Sequence, residues 1–156
     1  MGMDVYGLKP TNKHGEYFRN NVWWWHPLWD YCCHIHPTLR QKVPHGHSND
    51  GDGLNATDAR QLGFKLQQEI ETGRSLKYVE EYEKERQAIP KQDCKYCDEK
   101  GERTWQQQNG ESYTKTCNAC NGTKKVDSWE SHYPMNLENI QEFTQFLLHC
   151  GGFKIC

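Results

Sequence analysis

Four cysteines, Cys94, Cys97, Cys117 and Cys120, stand as two Cys-x-x-Cys pairs with nineteen residues between the pairs. A two-residue gap lets a tight turn bring two thiolates to one side of a metal ion, and a second such turn supplies the other half of a tetrahedron. The intervening GERTWQQQNGESYTKT reads as two extended pieces about Asn109-Gly110, a favoured two-residue hairpin turn, with Trp105 and Tyr113 placed for cross-strand contact. The spacing predicts one Zn²⁺ in a structural role, because four sulfurs leave no position for a reacting water. Four reduced buried thiols, two disulfides or an iron–sulfur cluster are the alternatives; for the last, nothing in the sequence supplies an electron-transfer partner.

The densest set of other ligand-type residues is His34, His36, His45, His47, Asp50 and Asp52, with Cys32 and Cys33 beside them. If the segment 45–52 returns beside the helix that ends near His36, these six are candidates for a second metal, and a mixed His/Asp site with an open position is where metal-assisted hydrolysis would occur. The competing reading is a set of caps and turns. SNDGDGLNATD also has part of a calcium-loop pattern, with Asp50, Asp52 and Gly53 at its third, fifth and sixth places. Ser48 at the first place and Asn55 at the eighth depart from it, and Asp58 comes one residue early. No Ser lies in a nucleophile elbow, and no Gly-rich phosphate loop occurs. Cys33 and Cys150 read as small buried hydrophobes.

Trp23, Trp24, Trp25 and Trp29 form the third group, flanked by Arg19 and His26. Three consecutive Trp cannot all point the same way, so at least one ring should meet a surface or another element. Such a ring suits a protein interface, a stacking platform for a base, or a cage for a cation; the plain alternative is a core rich in aromatics. Lys100, Arg103, Lys115, Lys124 and Lys125 make the expected zinc hairpin locally basic, and Glu99, Glu102 and Glu111 dilute that charge.

The elements that must hold these groups are mostly helical. Residues 1–22 read as irregular or as a short extended segment. Pro27 fits the first turn of a helix over Leu28–His36, closed by Pro37, with the Trp cluster folding back over it. Asn55 caps a helix over 56–72 with Ala59, Leu62, Leu66 and Ile70 on one side, and Gly63 permits close approach of another backbone. Gly73 joins it to a second helix over 76–88, capped by Ser75, with Leu76, Val79, Tyr82 and Tyr78 on its apolar side. Asn136 caps a last helix carrying Leu137, Ile140, Phe143, Phe146, Leu147 and Cys150, which Gly151-Gly152 ends. FKIC at 153–156 is a candidate short strand.

The totals set limits. Apolar residues make up 35% of the chain, and the mean hydropathy is −1.04. That is a thin core, yet six Trp, eight Tyr and five Phe argue against a disordered chain. A net charge of −2 encodes no long-range attraction for nucleic acid. No run is long enough to span a membrane, and MGMDVYGLKP has neither a signal-peptide nor a myristoylation pattern. A cytosolic location follows, in the cell or in an infected host, and there eight cysteines favour metal over disulfides.

CNACNGTKKV resembles a repeat of the cysteine-rich zinc region of DnaJ-type chaperones, Cys-x-x-Cys-x-Gly-x-Gly. Gly122 matches the first glycine and Lys124 replaces the second. In CKYCDEKG, Glu99 replaces the first and Gly101 matches the second. Those chaperones carry four such repeats and two zinc sites, whereas this chain has two repeats. The His-Pro-Asp of their J domain is also missing, since His26-Pro27 continues with Leu28 and His36-Pro37 with Thr38. The resemblance implies a zinc module over residues 94–125. Separately, GMDVYGLKP, GEYFRNNVWWWHPLWDY and SNDGDGL resemble small proteins of bacteria and their phages, which implies an interaction or host-modulating role and no catalytic residues.

The sequence therefore predicts a mainly α (α+β) fold: a small helical domain with an inserted zinc-knuckle β-hairpin. Its parts are a Trp-rich segment and helical hairpin over 1–93, the zinc module over 94–125, and a C-terminal helix over 126–156 that packs on the helical core. The expected function is non-enzymatic binding, with a protein as the first choice of partner. Nucleic-acid binding, a nucleotide held by the Trp cluster, and a hydrolase using the His/Asp-rich loop are the alternatives.

Overall fold

The computed structural model describes residues 2–156 and divides them into two compact units. One runs up to Glu85 and resumes at Tyr133; the other is Arg86–His132. The fold is mixed α/β, with several helices and small sheets. Among the described residues, no helix is long and apolar enough to cross a membrane.

The larger unit contains a sheet beyond the elements its sequence predicts. Strands β1 (Gly2–Gly7) and β2 (Tyr17–Asn21) form a hairpin, β8 (Phe153–Ile155) pairs with β1, and β3 (Gly53–Leu54) pairs with β8. All neighbours are antiparallel, with Val5 opposite both Phe18 and Ile155. Side chains alternate across a strand, so Met3 and Val5 of β1 turn inward beside Phe153 and Ile155. The tail predicted as a strand is thus an inner one. Residues 1–22 read as irregular or as a short extended segment, with no sheet assigned, because only two apolar residues alternate in β1 and the strand that pairs its other edge lies far along the chain.

Helix α1 (Val22–Ile35) begins five residues before Pro27, which is the main correction to the predicted elements. The Asn21 side chain accepts hydrogen bonds from the Trp23 and Trp24 amides at 3.0 and 3.2 Å, satisfying two of the free donors at the helix start. Pro27 sits inside the helix, where it removes one bond from the ladder. The three Trp are therefore helical and point about 100° apart. Trp25 is buried and stacks on Trp29 one turn later, with centroids 5.6 Å apart and planes at 10°; Phe143 meets Trp25 edge-on at 5.5 Å. Trp23, by contrast, is 41% exposed.

A short α2 (Leu39–Lys42) follows, then α3 (Ala56–Glu71) and α4 (Arg74–Ala88). The Asn55 cap forms as predicted, bonding the Asp58 amide at 2.9 Å. Gly63 faces α5 (Leu137–His149), and a Cβ there would lie 3.0 Å from Leu148 and 3.2 Å from Leu147, so the close approach is made by side chains. Ser75 does not cap α4: it lies within the helix, buried, with its hydroxyl 2.9 Å from that of Tyr31, while Leu76 faces solvent. Cys32, Cys33 and Cys150 are buried free thiols, and burial pushes each above its ordinary range. They act as small hydrophobes rather than nucleophiles.

The two stacked Trp dominate this core. Trp25→Ala should lower unfolding stability by about 3–5 kcal/mol, read from the denaturant midpoint; an unchanged midpoint would refute the role given to the ring.

Candidate metal centre

The unit Arg86–His132 is built on two turns of matching geometry. Asp98, Glu99 and Gly101 after the first cysteine pair have φ of 48°, 61° and 78°; Asn121, Gly122 and Lys124 after the second have 48°, 80° and 67°. These are the left-handed values that glycine adopts freely and other residues resist. The third and fifth residues counted from Cys97 and Cys120 inclusive are therefore the same backbone positions in both turns. At each of these two positions, one turn has glycine and the other a strained side chain, Glu99 or Lys124.

Reciprocal hydrogen bonds link the two turns. The Cys94 amide donates to the Lys124 carbonyl at 2.8 Å, and the Cys117 amide donates to the Gly101 carbonyl at 2.8 Å. Strands β4 (Gln92–Asp93) and β7 (Lys125–Val126) pair beside them, with an Asp93–Lys125 ion pair. Between the turns, β5 (Glu102–Gln106) and β6 (Ser112–Thr116) form the expected hairpin, with Trp105 opposite Tyr113. Its loop is longer than the two residues predicted. The Gly110 amide closes a turn onto the Gln107 carbonyl at 3.0 Å, and Gly110 itself takes φ 85°. The Asn109 side chain accepts from the Glu111 amide, stabilising this wider form.

The result brings the four Sγ atoms within 4.8 Å of one another, all buried. Cys94 and Cys117 sulfurs are 3.9 Å apart, and Cys97 and Cys120 sulfurs 3.8 Å. Disulfide sulfurs would be about 2.05 Å apart, and all eight cysteines are free. A tetrahedron with metal–sulfur bonds of about 2.3 Å has edges of about 3.8 Å, which is the spacing of these two pairs. The Gly101 amide lies 3.3 Å from Cys97 Sγ, a donor suited to a thiolate. Burial pushes the Cys94 thiol up to about 11. At Cys117 burial acts the same way but is outweighed by the amides of Cys120 and Ala119, which hold the thiol down at about 7. Cys117 thus ionises more readily than Cys94, and protons compete with a metal for the thiolates. With four sulfurs in place, a bound ion keeps no position for substrate.

The His/Asp-rich residues are placed differently. His34 lies against Tyr78, with ring centroids 5.5 Å apart, and His36 is 3.5 Å from the Thr38 hydroxyl. Burial, then Lys65 and Lys42, lowers the pKa of His36. Asp50 accepts from the Ser48 hydroxyl; Asp52 accepts from the amides of His45 and Gly53 at 2.9 and 3.0 Å. Asp50 and Asp52 thus act as turn acceptors. His47 instead meets His26 of α1, Nδ1 to Nδ1 at 2.8 Å, and its Nε2 is 3.2 Å from Asp30. Sequence reasoning puts His26 in a different group and misses Asp30 altogether. Among the described residues, only the four cysteines bring three or more such ligand atoms together.

The Trp group is also divided. Trp25 and Trp29 are core, Trp24 is half-buried, and Trp23 packs its exposed ring 4.9 Å from Tyr133. Arg19 lies on β2, 3.6 Å from Asp4. No protein-family model, curated protein or solved structure matches the chain.

Two substitutions test the centre. Cys97→Ser should remove the bound metal, measured as metal per chain by elemental analysis; undiminished content would reject the four-sulfur site. Lys124→Gly should stabilise the metal-loaded protein by roughly 0.5–1 kcal/mol, the relief of left-handed strain less the entropy glycine adds to the unfolded chain. A lower melting temperature would contradict the strain.

Proposed function

We propose that this chain is a non-enzymatic binding protein in which one structural Zn²⁺, held by Cys94, Cys97, Cys117 and Cys120, fixes the β5–β6 hairpin as a recognition face for single-stranded nucleic acid. Zinc is favoured by the thiolate set and the tetrahedral spacing, and by the resemblance of the two turns to DnaJ-type zinc repeats. The metal's part is to supply folding free energy and orient the hairpin.

One observation carries the choice of partner. Strand alternation places Arg103, Trp105, Tyr113 and Lys115 on one face and turns Glu102 to the other. The sequence alone suggests that the glutamates dilute the basic residues; pairing register turns Glu102, the one glutamate within the paired strands, away from them. Trp105 and Tyr113 stack across the strands at 5.9 Å with planes at 16°. The Arg103 guanidinium lies 5.2 Å from the Trp105 centroid, and the Lys115 ammonium 5.0 Å from that of Tyr113. Each ring thus has a cation beside it, an arrangement that suits bases on the rings and phosphates on the cations. The whole-chain charge of −2 restricts the attraction to this face.

A protein partner is the second reading. It is favoured by Phe64, 59% exposed at the rim of a cleft of about 380 Å³ between the start of α3 and the end of α5.

Titrating a labelled single-stranded oligonucleotide into the zinc-loaded chain tests the proposal. Trp105→Ala should weaken binding by about 1–3 kcal/mol. Removing Arg103 and Lys115 should flatten the salt dependence by about 0.7 for each phosphate no longer neutralised. Absence of binding in low salt, or full affinity in the Trp105 variant, would overturn it.

A further inference from the structure

The His26–His47–Asp30 cluster has a form that turn-making does not require. It depends on the loop after α2 lying directly on α1. The Trp25 indole donates to the Gly46 carbonyl at 2.8 Å, and a Cβ on Gly46 would come within 2.1 Å of the Trp29 indole nitrogen. Only glycine lets the loop approach so closely, and the next residue, His47, is thereby set over His26.

With both rings neutral, the hydrogen bonds fix the protons. Asp30 faces Nε2 of His47 at 3.2 Å and accepts its proton, which leaves Nδ1 of His47 as a lone pair. That lone pair points at Nδ1 of His26, 2.8 Å away. An imidazole oriented by a carboxylate on its far nitrogen is the usual arrangement of a metal-ligating histidine. We propose that His26 and His47 form a second metal site, binding a divalent transition ion of the Ni²⁺ or Cu²⁺ type through both Nδ1 atoms, with Asp30 as the positioning residue.

Spacing selects the metal class. Once both rings turn about 45° off the hydrogen-bond line, two nitrogens still 2.8 Å apart, each about 2.0–2.1 Å from one ion, subtend an angle of about 85–90°. Adjacent ligands of a square-planar or octahedral ion make that angle; tetrahedral zinc would separate them to about 3.3 Å. The two centres thus differ in donor softness as well as geometry, four thiolates against two imidazoles. Binding replaces the proton shared by the two rings, and His26 takes a proton on Nε2 instead, so the pair stays neutral. Water fills the remaining positions, since His47 is exposed and His26 only half-buried.

The test uses the full chain with its cysteine site already loaded. Ni²⁺ is titrated by calorimetry, with imidazole proton broadening in NMR as the site readout. One Ni²⁺ per chain is expected, with zinc content unchanged. His47→Ala and His26→Gln should each weaken binding at least about tenfold, and Asp30→Asn about tenfold, while His45→Ala on the same loop should leave it unaltered. Equal losses in His45→Ala would mean adventitious surface binding and overturn the site. So would retained affinity in His47→Ala, or nickel taken up only by expelling zinc. Should His47→Ala loosen the loop by circular dichroism, Asp30→Asn, at an exposed carboxylate, decides the matter in its place.

Discussion

In the unit Arg86–His132 the buried apolar cluster consists of the four cysteines, with Val126 packed against it. Every other large side chain of the hairpin lies wholly or partly in solvent. Ordering a residue costs about 1–2 kcal/mol in backbone entropy, and a cluster of that size cannot offset it over the whole unit. Four thiols confined to such a small volume also repel one another as they ionise. A cation reverses both terms, turning the repulsion into coordination and adding about 10–16 kcal/mol in comparable small zinc units. Glu99 and Lys124 hold the left-handed φ angles that glycine takes in the matching turn, and coordination of the sulfurs they help to aim would offset that strain.

The larger unit solves the same shortage of aliphatic residues differently. Trp25 and Trp29 stack, Phe143 meets Trp25 edge-on and Phe153 meets Trp29 edge-on, and Phe18 and Phe146 extend the contact toward the sheet. Rings of this size cover large areas per residue and reward tilted or offset packing. The arrangement depends on where α1 begins. Because Asn21 caps the helix, Trp25 and Trp29 fall one turn apart on the inner face, while Trp23 is carried outward. A helix starting at Pro27 would have left the cluster without that register.

What could be read in the sequence was local. Cys-x-x-Cys spacing, the Asn55 and Asn136 caps, and the glycine at 73 each depend on neighbours a few residues away, and each took the expected form. Distant pairings were hidden. Nothing near Met3 announces that Ile155 lies beside Val5, and nothing near Glu102 reveals that pleating turns it from Arg103. Proximity in the chain groups His47 with His34 and His36, yet the close approach at Gly46 carries it to His26. The capping strength of Asn21 was legible in principle, but Pro27 gave the louder signal.

Strand β8 lies between β1 and β3, so neither flanking strand can complete its ladder until residues 153–155 arrive. On a ribosome this imposes an order of events. The N-terminal hairpin waits with an open edge through the synthesis of most of the chain. The cysteine-containing unit, contiguous in sequence, can close while that edge is still exposed. The inserted unit can thus close before the sheet does, and the arrival of residues 153–155 sets how long an unpaired strand remains available to wrong partners.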